Sequence, residues 1–155
     1  MGARVIVVDP VPLRREIAMK LGADATVDPA DGDPIDAITE MTKGGADLVV
    51  ECAGHPASLA NVFDYVRPEG FVSMVGINIG QKLPVELGKI QIKDLTVRGC
   101  IGSPGVWPGV IRFLERTGID LSPIQTHSFG LDDAIAAFDL GKDPQKAVKV
   151  TLNIA

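Results

Sequence analysis

Long apolar runs, an excess of basic residues, cysteines and aromatic side chains are all scarce in these 155 residues. Each scarcity excludes something. No apolar stretch approaches the roughly 20 residues needed to cross a bilayer, so a membrane partner is not expected. The net charge of −5 leaves no basic surface for a phosphate backbone, so nucleic acid is not an expected partner either. The first residues show no basic segment followed by a long apolar stretch and a cleavage site. The cytoplasm is therefore the expected location. Two cysteines, Cys52 and Cys100, are too few for a disulfide framework or a four-cysteine zinc site. Each ends an apolar run, where a buried free thiol is the simplest reading. Cys52 and His55 are neighbours, but the local sequence supplies no further ligands, so metal binding there is rejected.

One glycine pattern is also missing. The sequence contains no G-x-G-x-x-G turn, the motif whose backbone cradles a dinucleotide's pyrophosphate.

What is present is an alternation of short β-like runs and helical segments within a chain long enough for one sizeable core. Residues 4–9 (RVIVVD) read as a near-continuous apolar strand covered on both faces. Pro12 opens a helix, Leu13, Ile17 and Leu21 follow at helical spacing, and Gly22 ends it. Residues 25–27 read as a short strand, and Pro34 opens a second helix with Ile35 and Ile38 on one face. Residues 47–52 (DLVVEC) form the next strand, with the turn 53–56 after it. A helix is expected from Pro56 to about Val66, carrying Leu59, Val62, Phe63 and Val66 inward. Residues 67–70 (RPEG) read as a turn and 71–75 as a strand ending at Gly76. A less regular stretch, 82–94, leads into the strand 95–100. The helix from Val106 to about Thr117 is expected to pack Val110, Ile111 and Leu114. After Pro123 the character changes: an edge strand over 124–129, a helix over 131–140 and a final strand over 147–154. Such β–α alternation with short connections predicts a doubly wound parallel sheet of the α/β class.

Asp9 is the first candidate for chemistry. An acid ending a strand before a helix stands where dinucleotide folds hold the adenosine ribose hydroxyls. It would favour NAD and repel the additional phosphate of NADP. An Asp at a strand end more commonly marks only a turn. Arg14 lies five residues on and reads equally well as an ordinary solvated helix charge.

Five segments together carry a resemblance: VIVVDPVPLRREIAMKLGAD at 5–24, DLVVECAG at 47–54, RPEGFVSMVG at 67–76, LTVRGCIG at 95–102 and THSFGLDDAIAAFDL at 126–140. In this order and spacing they resemble the medium-chain, zinc-dependent alcohol and polyol dehydrogenase family. The likeness is to the C-terminal, nucleotide-binding part of members acting on sorbitol, threonine and butanediol. It covers essentially the whole chain.

The resemblance implies an incomplete Rossmann-like fold lacking the first strand and its glycine-rich turn. Residues 1–122 would be the partial NAD-binding domain, and 123–155 the segment that in the family returns to the catalytic domain. It implies NAD as cofactor, bound weakly or not at all by this chain alone, with Asp9 on the ribose and Arg14 beside it. Cys52, Ala53 and Gly54 would line the adenosine side of the cleft. Val75, Gly76 and Ile77, with Cys100, Ile101 and Gly102, would hold the nicotinamide carboxamide. Lys149 would stand near the pyrophosphate, though a surface strand lysine is an equal reading. His55 would begin a helix near the cleft, and His127 would pack or cap locally. No catalytic residue is expected here, because the family's zinc and proton relay belong to an N-terminal catalytic domain outside these residues. Loss of the first strand would separate the strand ending at Asp9 from the one ending at Cys52, exposing both edges. Self-association through the strand near 95–100 is a further implication. Three outcomes stay open: a C-terminal dehydrogenase portion inactive by itself, a non-enzymatic remnant or interaction module, or half of a split enzyme.

Overall fold

The computed structural model describes residues 2–154. In chain order the first elements are β1 (Ile6–Val8), α1 (Pro12–Lys20), β2 (Ala25–Val27) and α2 (Pro34–Thr42). There follow β3 (Ala46–Glu51), α3 (Pro56–Ala60), β4 (Val66–Met74), α4 (Gly88–Ile92) and β5 (Thr96–Gly99). The last are α5 (Trp107–Thr117), β6 (Gln125–Gly130), α6 (Ala134–Gly141) and β7 (Lys149–Asn153), with 3-10 turns at Ser122–Ile124 and Leu131–Asp133. Every strand pair is parallel, as the α/β reading requires.

The chain divides into two compact units, residues 1–32 with 106–155, and residues 33–105. In the first, β1 pairs with β2 over three residues, and β6 pairs with β7 in a second two-stranded sheet. α1 starts at Pro12, whose fixed φ and missing N–H suit the first helical position. It buries Ile17 and half-buries Leu13, while Lys20 in the last turn complements the helix dipole. The strand β1 is less covered than its apolar sequence predicts. Val5 and Val8 remain exposed, because β2 is its only neighbour among the described residues. The expected packing of Val110 and Ile111 also fails: both are exposed, and α5 buries no residue.

The second unit holds the three-stranded sheet β3–β4–β5. β1 and β3 belong to different sheets. α2 is capped by Asp33, whose carboxylate accepts from Ile35 N at 2.8 Å. Val62, Phe63, Val66 and Val72 form the core, with Val49, Met74, Val85, Ile90 and Leu95 packed on it. The four inward residues named from sequence over 59–66 are all buried. The helix that was to carry them stops at Ala60 instead. Residues 61–65 leave the helical path because their backbone groups find other partners. Tyr65 O accepts from Ala46 N as the sheet begins, and Lys93 Nζ donates to the carbonyls of Phe63 and Val66.

The turn expected at 67–70 lies inside β4 as an irregularity. Between the pairs Ala46–Val66 and Leu48–Phe71, β4 advances five residues against two on β3. Glu69 takes the left-handed region there, at φ 60°, and its N–H donates to Lys93 O. The stretch 82–94, read as irregular, contains the short helix α4. One face of this sheet carries the core, while Leu48, Val50 and Phe71 on the other are about half exposed.

Candidate functional site

Two clusters of the expected residues form, one in each unit. The first sits at the C-terminal ends of β1 and β2. Asp9 N donates to Val27 O, continuing the pairing by one residue. Its Oδ1 accepts from Val11 N at 2.8 Å, bending the chain into α1. Its Oδ2 faces Arg14 at 3.7 Å, with Arg14 41% exposed and Asp9 22%. At that distance the contact is a loose ion pair, so Oδ2 keeps free acceptor positions. The neighbouring Arg15 is held far more tightly. Its Nη1 donates to Asp9 O at 2.6 Å, and its Nη2 lies 2.6 Å from Asp28 Oδ2.

The second cluster joins the turn after β3 to the strand end after β4. Glu51 ends β3 and is buried. One carboxylate oxygen accepts from Ala53 N, Gly54 N and Ser58 Oγ at 3.1, 3.0 and 2.6 Å, and the other from Gly54 N at 3.1 Å. Glu51 O accepts the N–H groups of Val75 and Gly76, each at 2.8 Å. Glycine is obligatory at both meeting points. Gly54 has φ 60°, and a Cβ there would lie 2.7 Å from Ile77 O. A Cβ on Gly76 would lie 2.1 Å from Gly54 N. Asn78 Nδ2 completes the junction by donating to Gly54 O at 2.9 Å.

The structure thus brings Gly54, Val75, Gly76 and Ile77 together, and Asp9 with Arg14. The N–H groups of Val75 and Gly76 are engaged by Glu51. Cys100 N donates to Met74 O, and Cys100 Sγ lies 3.3 Å from Ser73 Oγ. Ile101 is exposed, and Gly102 takes φ 60°, where a Cβ would lie 4.0 Å from Pro104 Cδ. Cys52 and Ala53 are exposed beside the buried Glu51. Partial burial of the Cys52 thiol, and secondarily the Glu51 charge, push its pKa above the ordinary value. Cys52 is therefore a neutral thiol near pH 7, not an activated nucleophile. Lys149 lies exposed on β7, in a different sheet from Asp9, and makes no ion pair among the described residues. His55 does begin a helix: its Nδ1 accepts from Ala57 N at 3.2 Å ahead of α3. His127 lies in β6 with Nδ1 buried and unpartnered.

Sequence reading missed Glu51, Asn78, Arg15 and Asp28. Glu51 had a signal, a charge closing an apolar strand two residues before a glycine turn. Arg15 had a weaker one, the tandem arginines.

The zinc-binding dehydrogenase family matches residues 1–116. The chain belongs to this family. It is 36% identical over 141 residues to L-threonine 3-dehydrogenase of Pyrococcus abyssi, a match covering 88% of this chain and 40% of that protein. Among solved structures, 2R,3R-butanediol dehydrogenase from Bacillus subtilis has a TM-score of 0.88 at 27% identity, over 98% of this chain and 44% of that one. A zinc-binding dehydrogenase from Sinorhizobium meliloti 1021, bound to NADP, has a TM-score of 0.86 at 28% identity, over 97% and 45%. The chain spans about two fifths of the length of the curated relatives it matches.

Proposed function

We propose that this chain is the C-terminal, NAD-binding portion of an alcohol or polyol dehydrogenase, transferring hydride between an alcohol carbon and NAD in the complete enzyme. Residues 1–122 are the partial nucleotide domain and 123–155 the segment that returns to the catalytic domain. The observation that carries this reading is Asp9, a strand-end carboxylate with its backbone fixed and one oxygen still able to accept. That is the arrangement a ribose diol needs, since its two hydroxyls donate.

The residues fit the cofactor at some points and not at others. Asp9, with Arg14 beside it, would hold the adenosine ribose. The glycine junction of Gly54 and Gly76 would shape the wall beside Cys52, Ala53 and Ile77. Cys100, Ile101 and Gly102 offer backbone groups for the carboxamide, and Lys149 a charge for the pyrophosphate. The nicotinamide ring supplies the hydride acceptor when bound. No glycine-rich turn is available to cradle the pyrophosphate, so the chain by itself binds NAD weakly or not at all and shows no turnover. Zinc does not fit: among the described residues no three His, Cys, Asp or Glu side chains converge.

Bare apolar side chains favour a partner: Trp107, Val110 and Ile111 on α5 and Ile135 and Phe138 on α6 are all exposed. A polypeptide supplying the catalytic domain would cover such faces, which is the split-enzyme reading; a remnant would leave them bare. Self-association through β5, whose four residues are all exposed, would cover part of the same surface. No described helix is long and apolar enough to cross a membrane, and the proposed location is the cytoplasm.

An NADH titration, followed by calorimetry and by the fluorescence of Trp107, tests the reading. Saturable binding that Asp9→Ala weakens and that NADPH matches poorly would support a surviving cofactor site. Measurable alcohol oxidation by the purified chain without added protein would refute its proposed inactivity.

A further inference from the structure

We propose that Asp28, acting through Arg15, is a specificity-determining residue that keeps this strand-end site selective for a ribose without a phosphate. The inference rests on the reading of Asp9 as the ribose acceptor. Four charges converge at the ends of β1 and β2: Asp9, Arg14, Arg15 and Asp28. They balance to zero, but they are not equivalent. Arg14 is the more exposed arginine and touches Asp9 only at 3.7 Å. Arg15 has 18% of its side chain exposed and Asp28 16%, and they meet at 2.6 Å. The other end of the Arg15 guanidinium is spent on Asp9 O, also at 2.6 Å. Asp28 is itself fixed, because its Oδ1 accepts from Ala30 N at 2.9 Å.

This arrangement holds a guanidinium beside the ribose acceptor while withholding it from any ligand. A planar guanidinium is the side chain best suited to a phosphate dianion, and one near this strand end is how related folds accept NADP. Asp28 supplies the charge that occupies it. Replacing Asp28 by Asn would remove one negative charge from the quartet and free Nη2, leaving a net positive site beside Asp9. The selecting acid would then be working against a local cation. Asp9 repels the phosphate directly; Asp28 does so by sequestering Arg15.

The test is calorimetric titration of the full chain with NADH and with NADPH at concentrations up to millimolar, using Asp9→Ala, Asp28→Asn, Arg15→Gln and the Asp28→Asn/Arg15→Gln double variant. Asp28→Asn is expected to lower the NADH-over-NADPH preference about tenfold, mainly by tightening NADPH. The double variant is expected to lose that gain, since the released guanidinium is gone. A purely structural role for Asp28 would weaken both nucleotides together and would not be reversed by Arg15→Gln. An unchanged preference in Asp28→Asn, with NADH still weakened by Asp9→Ala, would overturn this inference and leave the cofactor reading standing. Binding of neither nucleotide by any of the chains would also overturn this inference, since the chain would then hold no selective site.

Discussion

Asp9 and Glu51 occupy the same position in two units of one chain. Each ends a parallel strand, and each precedes a helix opened by a proline. Their environments are opposite. Glu51 is 5% exposed, and its carboxylate is surrounded by the N–H groups of Ala53 and Gly54 and the hydroxyl of Ser58. Asp9 accepts one backbone N–H and keeps an oxygen facing a half-exposed arginine. A carboxylate whose lone pairs are spent on its own turn builds structure. A carboxylate held by its backbone, with capacity left over, can bind. The difference lies in the length of the following turn. After Glu51, four residues precede Pro56, and the N–H groups of two of them, Ala53 and Gly54, curl back onto the side chain. After Asp9 only two precede Pro12, and one of them, Pro10, has no N–H to give.

The comparison breaks most readily at Glu51. Glu51→Ala would leave the buried N–H of Gly54, with the part-buried hydrogen bonds from Ala53 N and Ser58 Oγ, without their acceptor, at a cost of about 3 kcal/mol. Urea denaturation should show this as a lowered midpoint, with Glu51→Gln in between. Gly76→Ala attacks the same junction sterically. Its new Cβ would stand 2.1 Å from Gly54 N, and backbone cannot yield as a side-chain tip can. A loss of about 2–3 kcal/mol is expected by the same assay. A Glu51→Ala chain as stable as the parent would show that the carboxylate is not holding the turn.

Asp9→Ala should behave differently. It loses one local hydrogen bond to Val11 N, worth about 1 kcal/mol, and its larger effect should fall on nucleotide binding. NADH affinity is expected to drop about tenfold where binding is measurable. A stability loss as large as that of Glu51→Ala would make the two acids equivalent and remove the basis for reading Asp9 as a ligand.

The contrast between these acids was only half legible in the sequence. Asp9 stood out because a strand, an acid and a helix start can be read locally. Glu51 did not, because its partners depend on how the turn folds back and on the approach of Gly76. The same distinction runs through the fold. Leu59, Val62, Phe63 and Val66 were identifiable as core from their hydrophobicity. The helix supposed to carry them was not realised beyond Ala60, because Lys93, some 30 residues on, satisfies the carbonyls of Phe63 and Val66. Val110 and Ile111 show the reverse failure. Their helical spacing is correct and α5 forms, but an apolar stripe reports a tendency to be buried, not the presence of a cover.

The smallest effect tests the charge of Glu51 without disturbing much else. Cys52 is next to it, and its thiol pKa is raised first by partial burial and then by that charge. Only the thiolate reacts with an alkylating reagent, and a raised pKa means less thiolate at any given pH. Alkylation of the folded chain between about pH 8 and 9 should therefore be slower than that of the denatured chain. The rate should still be climbing with pH where the denatured chain has begun to level off. Glu51→Gln removes the charge while leaving a side chain of similar size. It should speed Cys52 alkylation about twofold at pH 8, because the charge is the lesser of the two causes. Cys100 reacts with the same reagent, so the modified residue must be assigned by peptide mass. An unchanged Cys52 rate in a chain that remains folded would mean the Glu51 charge is neutralised by its donors before it reaches the neighbouring thiol. The contrast with Asp9 would then be sharper still, with one acid electrostatically silent outside its own turn and the other open to a ligand.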